Sequence, residues 1–224
     1  MCAILGLFIN DVREKDLGLI RKLFNESQIR GKHATGYSYF DKKIVTQKEP
    51  IPGSEFIEKY NPEIFLGKNL TMIAHFRYST SDLEYNQPIS DSRISIVHNG
   101  VITQEPFDKW EGDFQTKNDS EFVYKSHRNA SHPLKDYPDA SMAVCGLSQD
   151  KLFFYRNGKR PLHYSTSYGN LIISSTRDII ERSISDAKIQ ECIPGVEYSI
   201  EGAMHSFKRK SIRKDIKDLQ YGIC

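Results

Sequence analysis

The chain begins Met1-Cys2-Ala3-Ile4-Leu5-Gly6, and this stretch organises the rest of the sequence. Residues 3–9 form an apolar, β-prone run that predicts a buried first strand. If Met1 is removed, Cys2 carries both a thiol and a free α-amino group whose ordinary pKa is about 8. Such an amine can accept the proton of the neighbouring thiol, which leaves a nucleophilic thiolate. The alternative is a core cysteine, because free cysteine is among the residue types most often buried.

The composition indicates a globular protein of a reducing compartment. Of the 224 residues, 38% are hydrophobic and 27% are charged, which suits a chain with a substantial core. The net charge of +2 is too small to indicate nucleic-acid binding by itself. Four widely spaced cysteines, at positions 2, 145, 192 and 224, fit neither a disulfide framework nor a zinc site, so we expect no metal. Because the sequence also lacks a secretory signal and the apolar run of about 20 residues that a membrane span needs, we expect a cytoplasmic protein.

Apolar periodicity predicts many strands and few helices. Leu17, Ile20, Leu23 and Phe24 recur at helical spacing within residues 16–29. Two shorter helices are expected, one starting near residue 118 and one over 178–184. Residues 50–68 are expected to form a loop with one short helical patch. Strands are expected at 37–40, 43–46, 70–78, 93–98, 140–147, 151–156, 162–165, 171–175, 197–200 and 203–207. We therefore predict one α+β domain over residues 1–224, with two packed antiparallel sheets, outer helices and a basic tail at about 208–224.

Polar residues gather at two predicted strand ends in the first half of the chain. The segment Arg30-Gly31-Lys32-His33-Ala34-Thr35-Gly36 lies between a helix and a strand, and its arginine either belongs to a site or is solvated at a helix end. Arg77, inside the run His75-Phe76-Arg77-Tyr78-Ser79-Thr80, follows an apolar strand. A partly buried arginine needs an anionic partner, which is either a structural carboxylate or the carboxylate of a ligand.

Two further segments carry groups that suit a catalytic site. In Val97-His98-Asn99-Gly100, a side-chain amide beside a glycine N–H can supply two donors to a developing oxyanion, although Asn-Gly is more often a plain β-turn. In Asn118-Asp119-Ser120-Glu121, a carboxylate can hold a substrate ammonium group, although a helix N-cap is the simpler interpretation. His127 and His132 are expected to be solvated rather than to bind metal.

Taken in order, these segments resemble the class II glutamine amidotransferases, the glutaminase domains of the N-terminal nucleophile hydrolase superfamily. The first six residues are similar to the family's Met-Cys-Gly-Ile start, and residues 30–36 to its Arg-Gly-x-x-Ala-x-Gly segment. Residues 75–80 resemble its His-x-Arg strand end, and Asn86-Gln87-Pro88-Ile89 its Gln-Pro loop. His98-Asn99-Gly100 matches a His-Asn-Gly motif, and residues 118–121 resemble Ser-Asp-(Ser/Thr)-Glu. Past residue 140 the similarity is weaker and includes Lys159-Arg160-Pro161-Leu162.

The resemblance implies a four-layer αββα fold and a set of roles. Cys2 would attack the side-chain amide of L-glutamine after removal of Met1, and Asn99 and Gly100 would stabilise the oxyanion. Arg77 would hold the α-carboxylate and Asp119 the α-ammonium group of the substrate. Thr80 and Gln87 would line that pocket, and Arg30 would support the N-terminal segment. The half-reaction needs no metal or organic cofactor.

The sequence departs from the family pattern in two places. Ala3 stands where glycine is usual, and Ser81 stands where members that aminate sugar phosphates often have histidine.

Most members fuse this domain to an ammonia-using enzyme, so the resemblance implies an acceptor synthetase or transferase on a partner chain. The basic tail either docks that partner or nucleic acid, or forms a solvated helix. Two alternatives remain: an amidohydrolase acting on another γ-glutamyl or amide substrate, and a regulatory module without activity. Nothing in the sequence indicates a homo-oligomer.

Overall fold

The structure, a computed structural model, describes residues 1–79 and 86–213, apart from the side chain of His205. Its helices are α1 (Glu14–Gln28), α2 (Gly53–Lys59), α3 (Ser120–Arg128), α4 (Pro133–Asp136) and α5 (Arg177–Ser183). Its strands are β1 (Ala3–Ile9), β2 (Ala34–Asp41), β3 (Lys43–Glu49), β4 (Leu70–Arg77), β5 (Ile89–Ser90), β6 (Ile94–Val101), β7 (Ser141–Ser148), β8 (Lys151–Arg156), β9 (His163–Ser165), β10 (Leu171–Ser174), β11 (Ile189–Glu191), β12 (Val196–Glu201) and β13 (Ala203–Ser211).

These strands form two antiparallel sheets. The first sheet has seven strands in the order β11-β9-β10-β1-β4-β2-β3. The second has six in the order β13-β12-β8-β7-β6-β5. In the first sheet, β1 lies between β10 and β4, both of which run antiparallel to it. The first strand of the chain is therefore a central strand, as its apolar sequence predicts.

Both faces of β1 are buried. Side chains alternate along a strand, so Ala3, Leu5 and Leu7 point to one face and Ile4 and Phe8 to the other. The first three residues pack with the helices that cover the first sheet. Ile4 and Phe8 pack in a second core between the two sheets. A strand in this position requires apolar residues at nearly every step, which explains its continuous hydrophobic run.

Three separate cores show that the molecule has four layers. The outer face of the first sheet is covered by apolar side chains from α1, α2 and α5, namely Leu17, Ile20, Leu23, Phe24, Phe56, Ile57, Ile179 and Ile180. The middle core joins the sheets. On the outer face of the second sheet, Val123 of α3 and Leu134 of α4 pack against side chains such as Met142 and Val144. The predicted αββα arrangement is confirmed.

Two segments extend beyond the sequence prediction. Residues 50–68 contain a short helix, α2, as expected, but they also contain a 3-10 turn at Pro62–Phe65, and Phe56 and Phe65 pack around the ring of Tyr37. The last hairpin is also longer than expected. Strand β13 continues to Ser211 and pairs with β12, so the first basic residues assigned to the tail lie in a sheet. Residues 214–224 lie outside the described part of the chain.

The prediction that His127 and His132 are solvated is wrong. The Nε2 atom of His127 lies 2.9 Å from the Tyr155 hydroxyl, and burial lowers the pKa of this histidine to about 4. His132 Nε2 lies 3.3 Å from a carboxylate oxygen of Glu197. Both rings pack against Tyr155, which makes them part of the outer core of the second sheet. Their contacts come from β8 and β12, which are distant in sequence.

The described residues contain neither a candidate membrane-spanning helix nor a candidate metal-binding cluster. No helix in residues 1–79 and 86–213 has the length and apolar character needed to cross a membrane. No group of three or more His, Cys, Asp or Glu residues in the same ranges is arranged to hold a metal ion.

Candidate active site

Cys2 immediately precedes the central strand β1, beside the end of β4. Ala3 pairs with Phe76 in the antiparallel ladder, which brings Cys2 next to Arg77. Arg77 in turn pairs with Ala34 at the start of β2. The side chain of Cys2 is partly buried, and its sulfur lies 3.8 Å from the carbonyl oxygen of Tyr78. While Met1 is attached, the Cys2 nitrogen is an amide nitrogen and not an amine.

Arg30 contacts the backbone of Cys2. Its Nε atom donates to the Cys2 carbonyl oxygen at 3.3 Å. The turn after α1 lies close to β4, because a side-chain carbon added to Gly31 would lie only 2.3 Å from the Phe76 carbonyl oxygen. Burial lowers the pKa of the Arg30 guanidinium, and the negative charge of Asp178 partly opposes this effect. Arg30 therefore contacts the N-terminal segment, and its effect on substrate binding stays a prediction.

Asn99 and Gly100 lie within β6, so the expectation that this strand breaks in a plain Asn-Gly turn is wrong. Asn99 pairs with Ala143 and Gly100 with Met142 of β7. Gly100 has φ +153, and an added Cβ would lie 1.8 Å from the carbonyl oxygen of Ser141. Only glycine fits there, both because of this backbone angle and because β7 approaches so closely.

The Asn99 amide connects the two sheets at Cys2. Its Nδ2 atom donates to the Cys2 carbonyl oxygen at 3.2 Å and to the Ser175 hydroxyl at 2.9 Å. Its Oδ1 atom lies 3.2 Å from Nε2 of His75, on β4. Burial lowers the pKa of His75 to about 3, so the ring is neutral near pH 7. The Asn99 side chain, which belongs to the second sheet, is therefore held by three residues in or next to strands of the first sheet: Cys2, His75 and Ser175.

Gln87 is buried, and both polar atoms of its side-chain amide form hydrogen bonds within the protein. Its amide nitrogen donates to the His98 carbonyl oxygen and to the Ser120 hydroxyl, each at 3.0 Å. Its Oε1 accepts from the His98 amide at 2.6 Å. The next residue, Pro88, follows a cis peptide bond. The predicted role of Gln87 as a substrate contact stays a prediction, and its observed contacts hold β6 and α3 together.

Asn86, which precedes Gln87, accepts a hydrogen bond from Arg77. The Arg77 guanidinium donates to Asn86 Oδ1 at 2.9 Å, and Lys48 Nζ donates to the Asn86 carbonyl oxygen at 3.1 Å. Arg77 is partly buried where it leaves the sheet. Its position beside Cys2 fits the expected carboxylate contact, which the structure does not test.

Asp119 precedes α3 and lies near the end of β6. The N-cap interpretation is wrong for its side chain, which makes no capping hydrogen bond in α3. Instead, one carboxylate oxygen accepts from the Ile102 amide at 2.6 Å. The buried Glu121 binds the preceding loop, since its carboxylate accepts from the backbone amides of Gln115 and Thr116. These two carboxylates fix the segment between β6 and α3.

Two residues singled out in the sequence lie outside the described part of the chain. Two contacts of Asn99, with Ser175 and His75, are not predicted from the sequence. Thr80 and Ser81 lie in the gap between residues 79 and 86. The sequence predicts a strand end at Ser175 and places His75 in a motif, but it predicts no contact of either residue with Asn99. No local pattern indicates their contacts with Asn99, because the partners are 76 and 24 residues apart in sequence.

No protein-family model matches the sequence, and a search of curated proteins finds no significant match. Solved structures do match. The chain superposes with a TM-score of 0.73 and 19% identity on glutamine phosphoribosylpyrophosphate amidotransferase from B. subtilis, solved with ADP and GMP. A structure described as the allosteric regulatory enzyme of purine biosynthesis gives a TM-score of 0.75 and 20% identity.

Coverage differs among these proteins. The two comparisons use 96% of this chain but 50% of the other, so this chain spans about half the length of those enzymes. A glutamine aminotransferase class-II domain protein from Silicibacter pomeroyi has 9% identity and a TM-score of 0.55, over 94% of this chain and 99% of the other. The likenesses show that this chain has the fold of the class II glutamine amidotransferase domains, the four-layer fold of the N-terminal nucleophile hydrolases.

Proposed function

We propose that this chain is a glutaminase domain that hydrolyses the side-chain amide of L-glutamine through a Cys2 thioester and supplies ammonia to an acceptor enzyme. One observation carries the proposal. The Asn99 amide lies 3.2 Å from the Cys2 carbonyl oxygen although the two residues are 97 positions apart. A fold that brings an amide donor and an adjacent glycine N–H to a potential N-terminal cysteine has the parts that acyl transfer requires.

The proposed substrate pocket recognises a free amino-acid head group. Arg77, beside Cys2, would hold the α-carboxylate, because a guanidinium matches a carboxylate in charge and geometry. Asp119, which immediately precedes α3, would hold the α-ammonium group. Thr80 and Gln87 complete the proposed pocket, and Arg30 supports the backbone of the nucleophile.

The proposed reaction begins after removal of Met1, which converts the Cys2 nitrogen into an amine. This amine takes the thiol proton, directly or through water, and the thiolate attacks the amide carbon of glutamine. The Asn99 side chain and the Gly100 N–H stabilise the oxyanion, and the loss of one such donor costs about 10²–10³-fold in rate. Collapse of the tetrahedral intermediate breaks the C–N bond, and the amine returns its proton to the departing ammonia.

A γ-glutamyl thioester remains on Cys2. Water attacks its carbonyl carbon, the C–S bond breaks, and the products are glutamate and the free thiol. Neither step needs a metal or an organic cofactor. The ammonia is proposed to pass to a synthetase or transferase on a partner chain.

We propose that residues 1–224 form one glutaminase domain of a cytoplasmic protein. The basic residues Lys208 and Lys210 at the end of β13 are exposed. They are proposed to form part of the docking surface for the acceptor enzyme.

The first experiment measures intact mass and glutamate release for the wild type, Cys2→Ala and Cys192→Ala. Cys192 is a matched control, because its thiol is buried and burial raises its pKa well above the ordinary value. We expect loss of the Met1 mass, glutamate release by the wild type and Cys192→Ala, and none by Cys2→Ala.

The same experiment distinguishes the alternatives. Release that appears only with an added ammonia acceptor enzyme would support gating by the partner. A processed protein that ignores glutamine but cleaves other γ-glutamyl amides in a Cys2-dependent manner would replace this proposal with the amidohydrolase. A processed protein that cleaves neither class of amide would contradict both.

A further inference from the structure

His75 has no role in the chemistry described above, although its ring contacts a proposed catalytic side chain. The ring is 2% exposed, and its Nε2 atom lies 3.2 Å from Oδ1 of Asn99. We propose that His75 is a positioning residue that fixes the orientation of the Asn99 amide and thereby keeps Nδ2, the proposed oxyanion donor, beside Cys2. This inference rests on the proposed glutaminase function, because it assigns Asn99 to the oxyanion site.

The orientation of the amide follows from its neighbours. A backbone carbonyl oxygen can only accept, so the atom of Asn99 that faces the Cys2 carbonyl must be Nδ2. The other atom, Oδ1, therefore faces His75 and needs a donor. His75 must carry its proton on Nε2 to supply that donor. One carbonyl oxygen thus determines both the amide orientation and the histidine tautomer.

A reversed amide would remove the proposed catalytic function. If the side chain rotated by half a turn, Oδ1 would face the Cys2 carbonyl and Nδ2 would face Nε2–H of His75. Two acceptors and two donors would then oppose each other, and no N–H group of Asn99 would face the backbone of Cys2. The His75 donor therefore favours the productive orientation over a reversed one of nearly the same shape.

The surroundings of His75 hold its ring in place. Ile4 of β1 and Gly36 of β2 are its cross-strand partners on either side. The missing side chain of Gly36 leaves room for the backbone of residues 87 and 88, since an added Cβ would lie 2.3 Å from the Gln87 carbonyl oxygen. Ser175 anchors the opposite end of the amide, and its hydroxyl also accepts from the Ile4 amide at 2.7 Å. Asn99 is thus held at both ends by groups on the first sheet.

A buried histidine can also be purely structural, so the experiment must separate the two roles. Steady-state glutaminase kinetics would be measured for the wild type, His75→Leu, His75→Gln and His75→Asn. His127→Leu is the control, because it also removes a partly buried histidine and one hydrogen bond, but its ring bonds to Tyr155 instead of Asn99. Alkylation of Cys2 by iodoacetamide would report on the thiol without using the oxyanion site.

Positioning predicts a selective loss of turnover. In His75→Leu, kcat should fall by about 10–100-fold while KM for glutamine changes by less than about 3-fold, because the oxyanion exists only in the transition state. The rate of alkylation should stay within about 3-fold of wild type, since Cys2 itself is untouched. His75→Gln should recover kcat to within about 5-fold, because its amide places a donor near the position of Nε2, whereas the shorter His75→Asn should not.

Several results would overturn the inference. They are a kcat for His75→Leu within 3-fold of wild type, an equal loss in His127→Leu, or equal activity of the Gln and Asn variants. The Gln and Asn pair keeps the test valid if the leucine variant does not fold. A wild type that alkylates at Cys2 but releases no glutamate, either alone or with an added ammonia acceptor enzyme, would overturn the proposed function and the inference together. An active wild type with an unaffected His75→Leu would overturn only the inference.

Discussion

Replacing Gly100 by alanine should damage both stability and catalysis. The added Cβ would lie 1.8 Å from the Ser141 carbonyl oxygen, and real Cβ atoms essentially never approach closer than 3.0 Å. The two atoms must therefore separate by about 1.2 Å, which moves β6 away from β7 or twists the strand. The variant also retains a backbone angle, φ +153, that side-chain-bearing residues rarely adopt.

The expected magnitudes follow from these two effects. Strain at such a backbone angle costs about 1–3 kcal/mol, and overpacking costs a similar amount, so the free energy of unfolding should fall by about 2–6 kcal/mol. A shift of about 1 Å in a proposed oxyanion donor should lower kcat by about 10²-fold. Urea unfolding and glutamate release would measure the two losses separately.

Gly67→Ala is the matched control for strain alone. Gly67 has φ +67, and an added Cβ there would meet no atom within 4 Å. We expect it to lose about 1 kcal/mol of stability and to keep its activity. If Gly100→Ala is no less stable than Gly67→Ala, or retains kcat within about 3-fold, then the close approach of β7 does not constrain the proposed site as we infer.

Two further predictions concern stability. Gly18 lies in α1, where an added Cβ would meet no atom within 4 Å. Gly18→Ala should therefore raise the free energy of unfolding by about 0.5–1 kcal/mol, measured by urea denaturation at pH 7. A loss of stability would contradict the open space at this site. His127 has its pKa lowered from 6.5 to about 4, mainly by burial, so the unfolded chain binds the proton more readily between those pH values. The free energy of unfolding should therefore decrease as the pH falls below 6.5, and His127→Leu should reduce the slope between pH 6.5 and 5 by up to about 1.4 kcal/mol per pH unit; an unchanged slope would show that this ring titrates normally.

The site is assembled from segments that the sequence could identify but could not connect. The Asn99-Gly100 pair illustrates this limit. Read locally it favours a β-turn, yet pairing with β7 keeps it in an extended strand. Gly100 tolerates its positive φ because it has no side chain, and pairing with β7 keeps the surrounding backbone extended.

Gln87 shows a different limit. The sequence marks the Gln-Pro loop, and the resemblance suggests a substrate contact. In the structure its amide is already bonded to His98 and Ser120, which come from different elements. Side-chain hydrogen bonds of this kind depend on which atoms lie within 3 Å in the folded chain, and no pattern of residue types along the sequence specifies that distance.

The sequence by itself determined the layers of this protein. The apolar run of β1 requires burial on both faces, and the helical spacing within α1 requires a sheet to cover, so the αββα class follows from periodicity and resemblance. Tertiary structure decided the polar contacts. It placed His127 in an outer core, kept Asn99 in a strand and brought His75 and Ser175 to opposite ends of its amide. Periodicity reports which face of an element is buried, whereas a hydrogen bond between distant residues depends on how strands from separate parts of the chain align.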